Sequence, residues 1–295
     1  MTFAPPRALR PNDAVAVVAP SGPFDRPSFE KGLAVLATRY RPVFAERIFA
    51  THRYLAGRDE DRARELQEAL DDDGVCAIFM ARGGYGAMRL LPSVRLGGSR
   101  PLVGFSDTTA LHLATQAIGW RSLHAPVLTQ LGKQRPDVVT SLFNLLEGRS
   151  VAPLAGTRTV VPGVAEGPLL GGNLSVLTRL LGTPYLPSLR GCVLLVEDVG
   201  ERPYRLDRMW THLELAGALE GVAGVVFGEL TGCEEKDATY TPDEVLDECA
   251  QRLGVPCAAG FPIGHGDVNF PVPLGARVRL DADRQALTLL EGLVT

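Results

Sequence analysis

Three short runs in the first third of the chain, Ala14–Ala19 (AVAVVA), Val75–Met80 (VCAIFM) and Leu102–Phe105 (LVGF), carry no charged or strongly polar residue on either face. A strand that is apolar throughout has to be covered on both sides, unlike one that alternates. Between the runs the pattern turns helical: Arg26–Tyr40, Arg58–Leu70 with its charges on one face, and the apolar Thr108–Ile118. Asp71–Gly74 (DDDG) is a turn that stops the second helix. Buried strands alternating with helices predict an α/β fold, a parallel sheet between helical layers.

The character changes near residue 150. Residues 151–167, rich in Pro, Gly, Ala and Val, show no helical period and read as a linker carrying one short strand. This divides the chain into an N-terminal α/β domain (1–150), the linker, and a C-terminal domain (168–295). In the last are expected a helix at Asn173–Leu181, a strand at Cys192–Val196, a helix at Tyr204–Leu219, a strand at Val222–Phe227 and a hairpin, Ala276–Leu280 with Ala286–Leu290.

Composition narrows the function classes. With 295 residues, 45% hydrophobic and 22% charged, the chain can build a sizeable core. A net charge of −4 gives no reason to expect a nucleic-acid partner. No stretch approaches the roughly 18 apolar residues of a membrane span, and no leader pattern opens the chain, so a cytoplasmic protein without a membrane partner is expected. The five cysteines form no CxxC pair and read as reduced, buried thiols. No histidines are spaced for a metal, and neither metal nor cofactor is expected.

Four places can carry chemistry. Gly104-Phe105-Ser106-Asp107 lies where a buried strand meets a helix, a junction that exposes a hydroxyl beneath the helix's first N–H groups, although Ser106 or Asp107 could equally be a helix cap. Arg82-Gly83-Gly84-Tyr85-Gly86 follows VCAIFM; its glycines let backbone approach a ligand, and a Gly83 or Gly84 N–H could join that of Asp107 as an oxyanion hole, or the loop could be a plain tight turn. Glu197 opens a Glu-Asp pair at the end of a buried strand. His265 sits between two glycines, exposed in a way that His112 and His212, in helical patterns, are not; His124 is a plausible neighbour. A serine needs a base and a histidine base needs an orienting acid, so Ser106, His265 and Glu197 supply the parts of a triad.

GFSD, ARGGYG, GGNLS, LLVEDVGERPYRLDRM and PIGHGD, in this order and preceded by VAVVAPSG at Val15–Gly22, resemble the LD-carboxypeptidases, also called muramoyltetrapeptide carboxypeptidases, whose relatives include the microcin C immunity peptidases. The resemblance spans nearly the whole chain. It implies a flavodoxin-like N-terminal domain with a smaller β-rich C-terminal domain, and a metal-free Ser106–His265–Glu197 triad assembled across their interface, often in a homodimer. It also implies oxyanion donors at the N–H of Asp107 and of Gly84 or Gly83, and as substrate a murein tetrapeptide cut before its terminal D-Ala during peptidoglycan recycling. Arg82, Gly83, Asn173 and Arg205 are candidates for substrate binding. Two rivals stand beside this reading: an immunity-type peptidase cleaving aminoacyl-nucleotide analogues, for which Trp120 and Trp210 offer no obvious stacking platform, and an inactive peptide-binding module.

Overall fold

The computed structural model describes residues 2–97 and 100–295. Among these the strands are β1 (Ala14–Val18), β2 (Arg41–Val43), β3 (Val75–Met80), β4 (Leu102–Gly104), β5 (Ser122–His124), β6 (Leu154–Ala155), β7 (Arg158–Val161), β8 (Val164–Asn173), β9 (Val193–Val199), β10 (Gly224–Thr231), β11 (Cys257–Ala259), β12 (Val272–Leu274), β13 (Arg277–Asp281) and β14 (Ala286–Leu289). The helices are α1 (Arg26–Ala37), α2 (Asp59–Asp71), α3 (Ala87–Leu90), α4 (Thr109–Ala117), α5 (Leu128–Leu131), α6 (Pro136–Leu146), α7 (Leu174–Arg179), α8 (Pro203–Leu215) and α9 (Pro242–Leu253).

The first sheet has the order β12-β5-β4-β3-β1-β2. Strands β1 to β5 pair in parallel, as their apolar runs require, and β12 closes one edge antiparallel to β5. The second sheet runs β6-β14-β13-β8-β9-β10-β11-β7, with a parallel centre from β8 to β11 and antiparallel flanks. Local chemistry sets the helix ends. Helix α2 opens on Asp59, Glu60 and Asp61, which complement its N-terminal partial charge. Helix α9 has a full capping box between Thr241 and Glu244, Pro242 in its first turn, and a left-handed Gly254 at its end.

Two groups of buried residues lie mostly in one half each: Val15, Phe29, Phe79 and Leu142 in the first, Leu169, Leu195, Phe261 and Val278 in the second. A third is shared. Leu111 and Leu113 of α4 pack in one cluster with Leu174 and Leu177 of α7, Leu194 of β9 and Trp210 of α8. That continuous apolar contact holds the two sheets in fixed relation.

Residues 151–167 are not a linker with one strand. They carry β6, β7 and the start of β8, and β6 and β7 are the two outer strands of the second sheet. Being half-exposed edges interrupted by Pro and Gly, they lack the apolar signature of a central strand. The segment after 168 is not one unit either. Strand β12 belongs to the first sheet, and Leu293 and Val294 pack with Leu9 and Leu146 of the first half.

Candidate active site

Ser106 follows β4 after one intervening residue, Phe105, and begins a single 3₁₀ turn, Ser106–Thr108, that leads into α4. Its φ is +63°, a left-handed conformation that costs a non-glycine residue roughly 1–3 kcal/mol. No side chain caps the turn or α4, so the reading of Ser106 or Asp107 as a helix cap fails. Gly83 lies against the serine: a Cβ there would stand 2.9 Å from Ser106 Cβ and 3.0 Å from Oγ, so only glycine lets the loop pass this closely.

The Asp107 side chain ties this corner together. Buried at 3% exposure, its Oδ2 accepts the Ser21 hydroxyl at 2.6 Å and the Ala87 N–H at 2.8 Å, while Gly22 N–H donates to Gly83 O at 3.0 Å. The loops following β1, β3 and β4, three neighbouring strands, are thereby locked around Ser106. Burial raises the Asp107 pKa, against the lowering effect of these hydrogen bonds. The sequence offered Asp107 as a helix cap or a backbone donor and assigned Ser21 no role; the signal for their pairing was the VAVVAPSG segment, whose end meets GFSD in space.

Glu197 lies within β9, which runs on to Val199 rather than ending at Val196, and is fully buried. His265 occupies the loop between β11 and β12. Its Nδ1 is 2.6 Å from Glu197 Oε2, and its Nε2 is 3.0 Å from Ser106 Oγ. A carboxylate only accepts, so Nδ1 carries the proton, and Nε2 is left to accept from the serine hydroxyl. Gly264, with φ +124°, admits this approach; a Cβ there would stand 2.8 Å from Glu197 Oε2. Asn269, which sequence reading missed, steadies the loop: its Oδ1 accepts Gly264 N–H at 3.0 Å, and its own N–H donates to Gln134 at 3.2 Å.

Burial alone would lower the pKa of His265, but the Glu197 carboxylate, by charge and hydrogen bond, and Asp198 behind it more than offset this, and the net shift is upward. Asp198 is itself pushed up to about 6, by burial and then by the neighbouring Glu197 charge. It accepts Asn173 Nδ2–H at 3.0 Å and the N–H groups of Ser175 and Val199, each at 2.8 Å. His124 is fully buried and separated from His265 by the Phe105 ring, whose centroid is 5.6 Å from one imidazole and 4.7 Å from the other. Burial holds His124 well below its ordinary pKa and His112 at about 4, so both are neutral.

Two cavities meet at Ser106. The larger, about 800 Å³, is lined by Arg82, Gly83, Lys133, Phe105 and His265 among others. The smaller, about 270 Å³, is lined by Asn173, Ser175, Arg179 and Glu201. Gly84, Ser106 and Val199 border both. Of the sequence-predicted binding residues, Arg82, Gly83 and Asn173 are therefore at the site. The side chain of Asn173 is already committed, capping α7 through Val176 N–H and donating to Asp198. Arg205 is not beside Ser106: it lines a neighbouring cavity of about 620 Å³, turned outward by its contacts with Tyr204 and Glu201. Among the described residues no group of three or more His, Cys, Asp or Glu is arranged to hold a metal, and no helix is long and apolar enough to cross a membrane.

Comparison with known proteins identifies the family. Residues 15–125 match the LD-carboxypeptidase N-terminal domain and residues 166–280 the LD-carboxypeptidase C-terminal domain. The murein tetrapeptide carboxypeptidase of Pseudomonas aeruginosa is 33% identical, covering 92% of this chain and 94% of its own. The crystal structure of the muramoyltetrapeptide carboxypeptidase from Oxalobacter formigenes superposes with a TM-score of 0.83 at 27% identity, over 94% of this chain and 97% of that one. The microcin C7 self-immunity protein MccF, solved with aspartyl sulfamoyl adenosine, shares the fold at a TM-score of 0.89 and 22% identity, over 99% of this chain and 100% of that one. The chain belongs to the LD-carboxypeptidase family and is a serine-peptidase hydrolase.

Proposed function

We propose that Ser106 is the nucleophile, His265 the general base and acid, and Glu197 the carboxylate that orients it, and that the enzyme releases the terminal D-Ala from murein tetrapeptides in peptidoglycan recycling. The observation that carries the reading is the unbroken hydrogen-bond line from Glu197 Oε2 through His265 to Ser106 Oγ, at 2.6 and 3.0 Å, at the wall of the large cavity. Nε2 takes the hydroxyl proton as Ser106 Oγ attacks the carbonyl carbon. The N–H groups of Asp107 and Gly84 are the donors proposed for the oxyanion. The intermediate collapses as His265 protonates the amine of D-Ala; water, activated by the same imidazole, then frees the acyl group and restores Ser106. Glu197 stabilises the imidazolium in both steps.

The likeness to murein peptide carboxypeptidases supports this substrate over an aminoacyl-nucleotide analogue. The large cavity offers Phe24 and Phe105 but no tryptophan, and Trp210 is fully buried in the shared core. A cytoplasmic, homodimeric enzyme is part of the proposal. The test is direct: incubation with a synthetic tetrapeptide and with an aminoacyl sulfamoyl nucleoside, with the released products identified by mass. D-Ala released from the first, with the second intact, is expected. Hydrolysis of the nucleoside alone would overturn the substrate assignment, and failure of a fluorophosphonate to label Ser106 would overturn the nucleophile.

A further inference from the structure

We infer that the smaller cavity holds the side chain of the peptide's third residue, and that Arg179 and Glu201 select there for a side chain ending in both a carboxylate and an ammonium, as in diaminopimelate, over one ending in an ammonium alone, as in lysine. This assignment rests on the tetrapeptide reading and specifies which tetrapeptide.

The orientation follows from the acid. The leaving nitrogen takes its proton from His265, so it departs on the side that His265 faces. His265 lines the larger cavity and not the smaller, whereas Ser106 borders both. A carbonyl held over Ser106 therefore sends its leaving amine into the space of about 800 Å³. Of the two substituents of the acyl residue, its side chain is the one that the space of about 270 Å³ on the other side suits, and the preceding peptide stays outside it.

The charges in that smaller space sort into two kinds. Asp107 and Asp198 are buried and already hydrogen-bonded, Asp107 through Oδ2 to Ser21 and Ala87, and Asp198 to Asn173, Ser175 and Val199. Glu201 and Arg179 are more open. Glu201 accepts from Ser175 Oγ at 3.0 Å and from Arg205 at 3.4 Å. Arg179 is exposed, and its hydrogen bonds among the described residues go to Ser175 O and Thr178 Oγ1, both at 3.1 Å, and to the Met209 sulfur, none of them a carboxylate. Both residues also line the next cavity outward, so they stand at the mouth of the smaller one, away from Ser106. A methylene stem can thus run past Met88 and Val176 to a head group that meets one cation and one anion. A carboxylate on the head finds the guanidinium, and an ammonium finds Glu201. A lysine head keeps only the second contact and brings its charge near Arg179 unmatched, which discriminates by repulsion as well as by loss.

The test uses three tetrapeptides that differ only at the third residue: diaminopimelate, diaminopimelate with its distal carboxylate amidated, and lysine. D-Ala release is read as kcat/KM. The wild type is expected to favour diaminopimelate by about tenfold, the size of one charge-assisted hydrogen bond, with the amidated peptide behaving like lysine. Arg179→Gln is expected to lower kcat/KM for diaminopimelate about tenfold and so erase the preference. Glu201→Gln is expected to slow all three peptides. Fluorophosphonate labelling of Ser106 reports that each variant is folded, and the amidated peptide tests the carboxylate contact with no substitution at all. Equal kcat/KM for the three peptides, or an Arg179→Gln loss of the same size on each, would overturn the pocket assignment and leave the carboxypeptidase standing. Release of D-Ala from none of them would overturn both.

Discussion

The two sides of the candidate site are built by different physics. Around Ser106 the positioning is done by backbone shape: a left-handed serine, a glycine at which any Cβ would crowd its hydroxyl, and three strand-end loops held by one buried carboxyl. Around His265 it is done by charge: two adjacent buried carboxylates at the end of β9, one bonded to the imidazole and one behind it. The difference teaches where each side is vulnerable. Steric change should damage the first and leave its pH response alone, whereas loss of charge should damage the second and move its pH profile.

The largest effect should come from removing the group on which both sides converge. Ser106→Ala is expected to lower kcat by about 10⁵-fold or more, the scale of nucleophile loss in serine proteases, with an unchanged melting temperature. Substantial D-Ala release by this variant would break the comparison at its root. Glu197→Gln should follow, with a loss of about 10⁴ in kcat, because the amide keeps the shape, loses the charge that steadies the imidazolium and can hold the wrong tautomer. Gly83→Ala tests the steric side. The new Cβ would sit 2.9 Å from Ser106 Cβ, the loop must shift, and a misplacement of that order costs about 10²-fold in kcat. Its pH profile should remain that of the wild type, and a displaced profile would refute the separation of shape from charge.

Asp198→Asn should be the mildest, about tenfold in kcat, since it leaves the hydrogen-bond line to Ser106 intact. Its signature is in the pH profile. Catalysis needs neutral His265, and the raised pKa puts the acid limb of kcat/KM above the ordinary histidine value of about 6.5. Asp198 contributes to that elevation, so its removal should move the limb to lower pH. Below about 6, where Asp198 is itself protonated, the two profiles should converge. A limb that stays in place would mean Asp198 does not act on His265. If Asp198→Asn abolishes turnover and Glu197→Gln does not, with both proteins folded, the orienting role belongs to the second carboxylate of the pair.

Much of the nucleophile side was legible in the residues, because its parts are local. The apolar runs predict β1, β3 and β4, and the strand-to-helix junction at Ser106 and the glycines of the neighbouring loop each lie within a few residues of a strand end. The edge strands β6 and β7 and the long β8 were not legible. Their half-exposed or glycine-broken sequences carry neither a two-residue nor a helical period, so a linker was expected where the second sheet begins.

What the sequence by itself determined is the inventory: a parallel α/β half, a serine at a sharp strand end, a carboxylate pair closing a buried strand, and a histidine that its flanking glycines keep out of regular structure. Periodicity records which face of an element is buried, and that is a local property. It does not record which elements share a core. Ser106 and His265 are 159 residues apart, and His265 and Glu197 are 68 apart. Only the cluster joining α4 to α7, α8 and β9, the return of β12 to the edge of the first sheet, and the grip of Asn269 on the Gly264 loop bring them within hydrogen-bond distance. The same packing leaves Arg179 and Glu201, unremarkable in the sequence, at the mouth of the smaller cavity and turns Arg205 away from it, because the direction a side chain takes from a helix end is set by what the helix packs against.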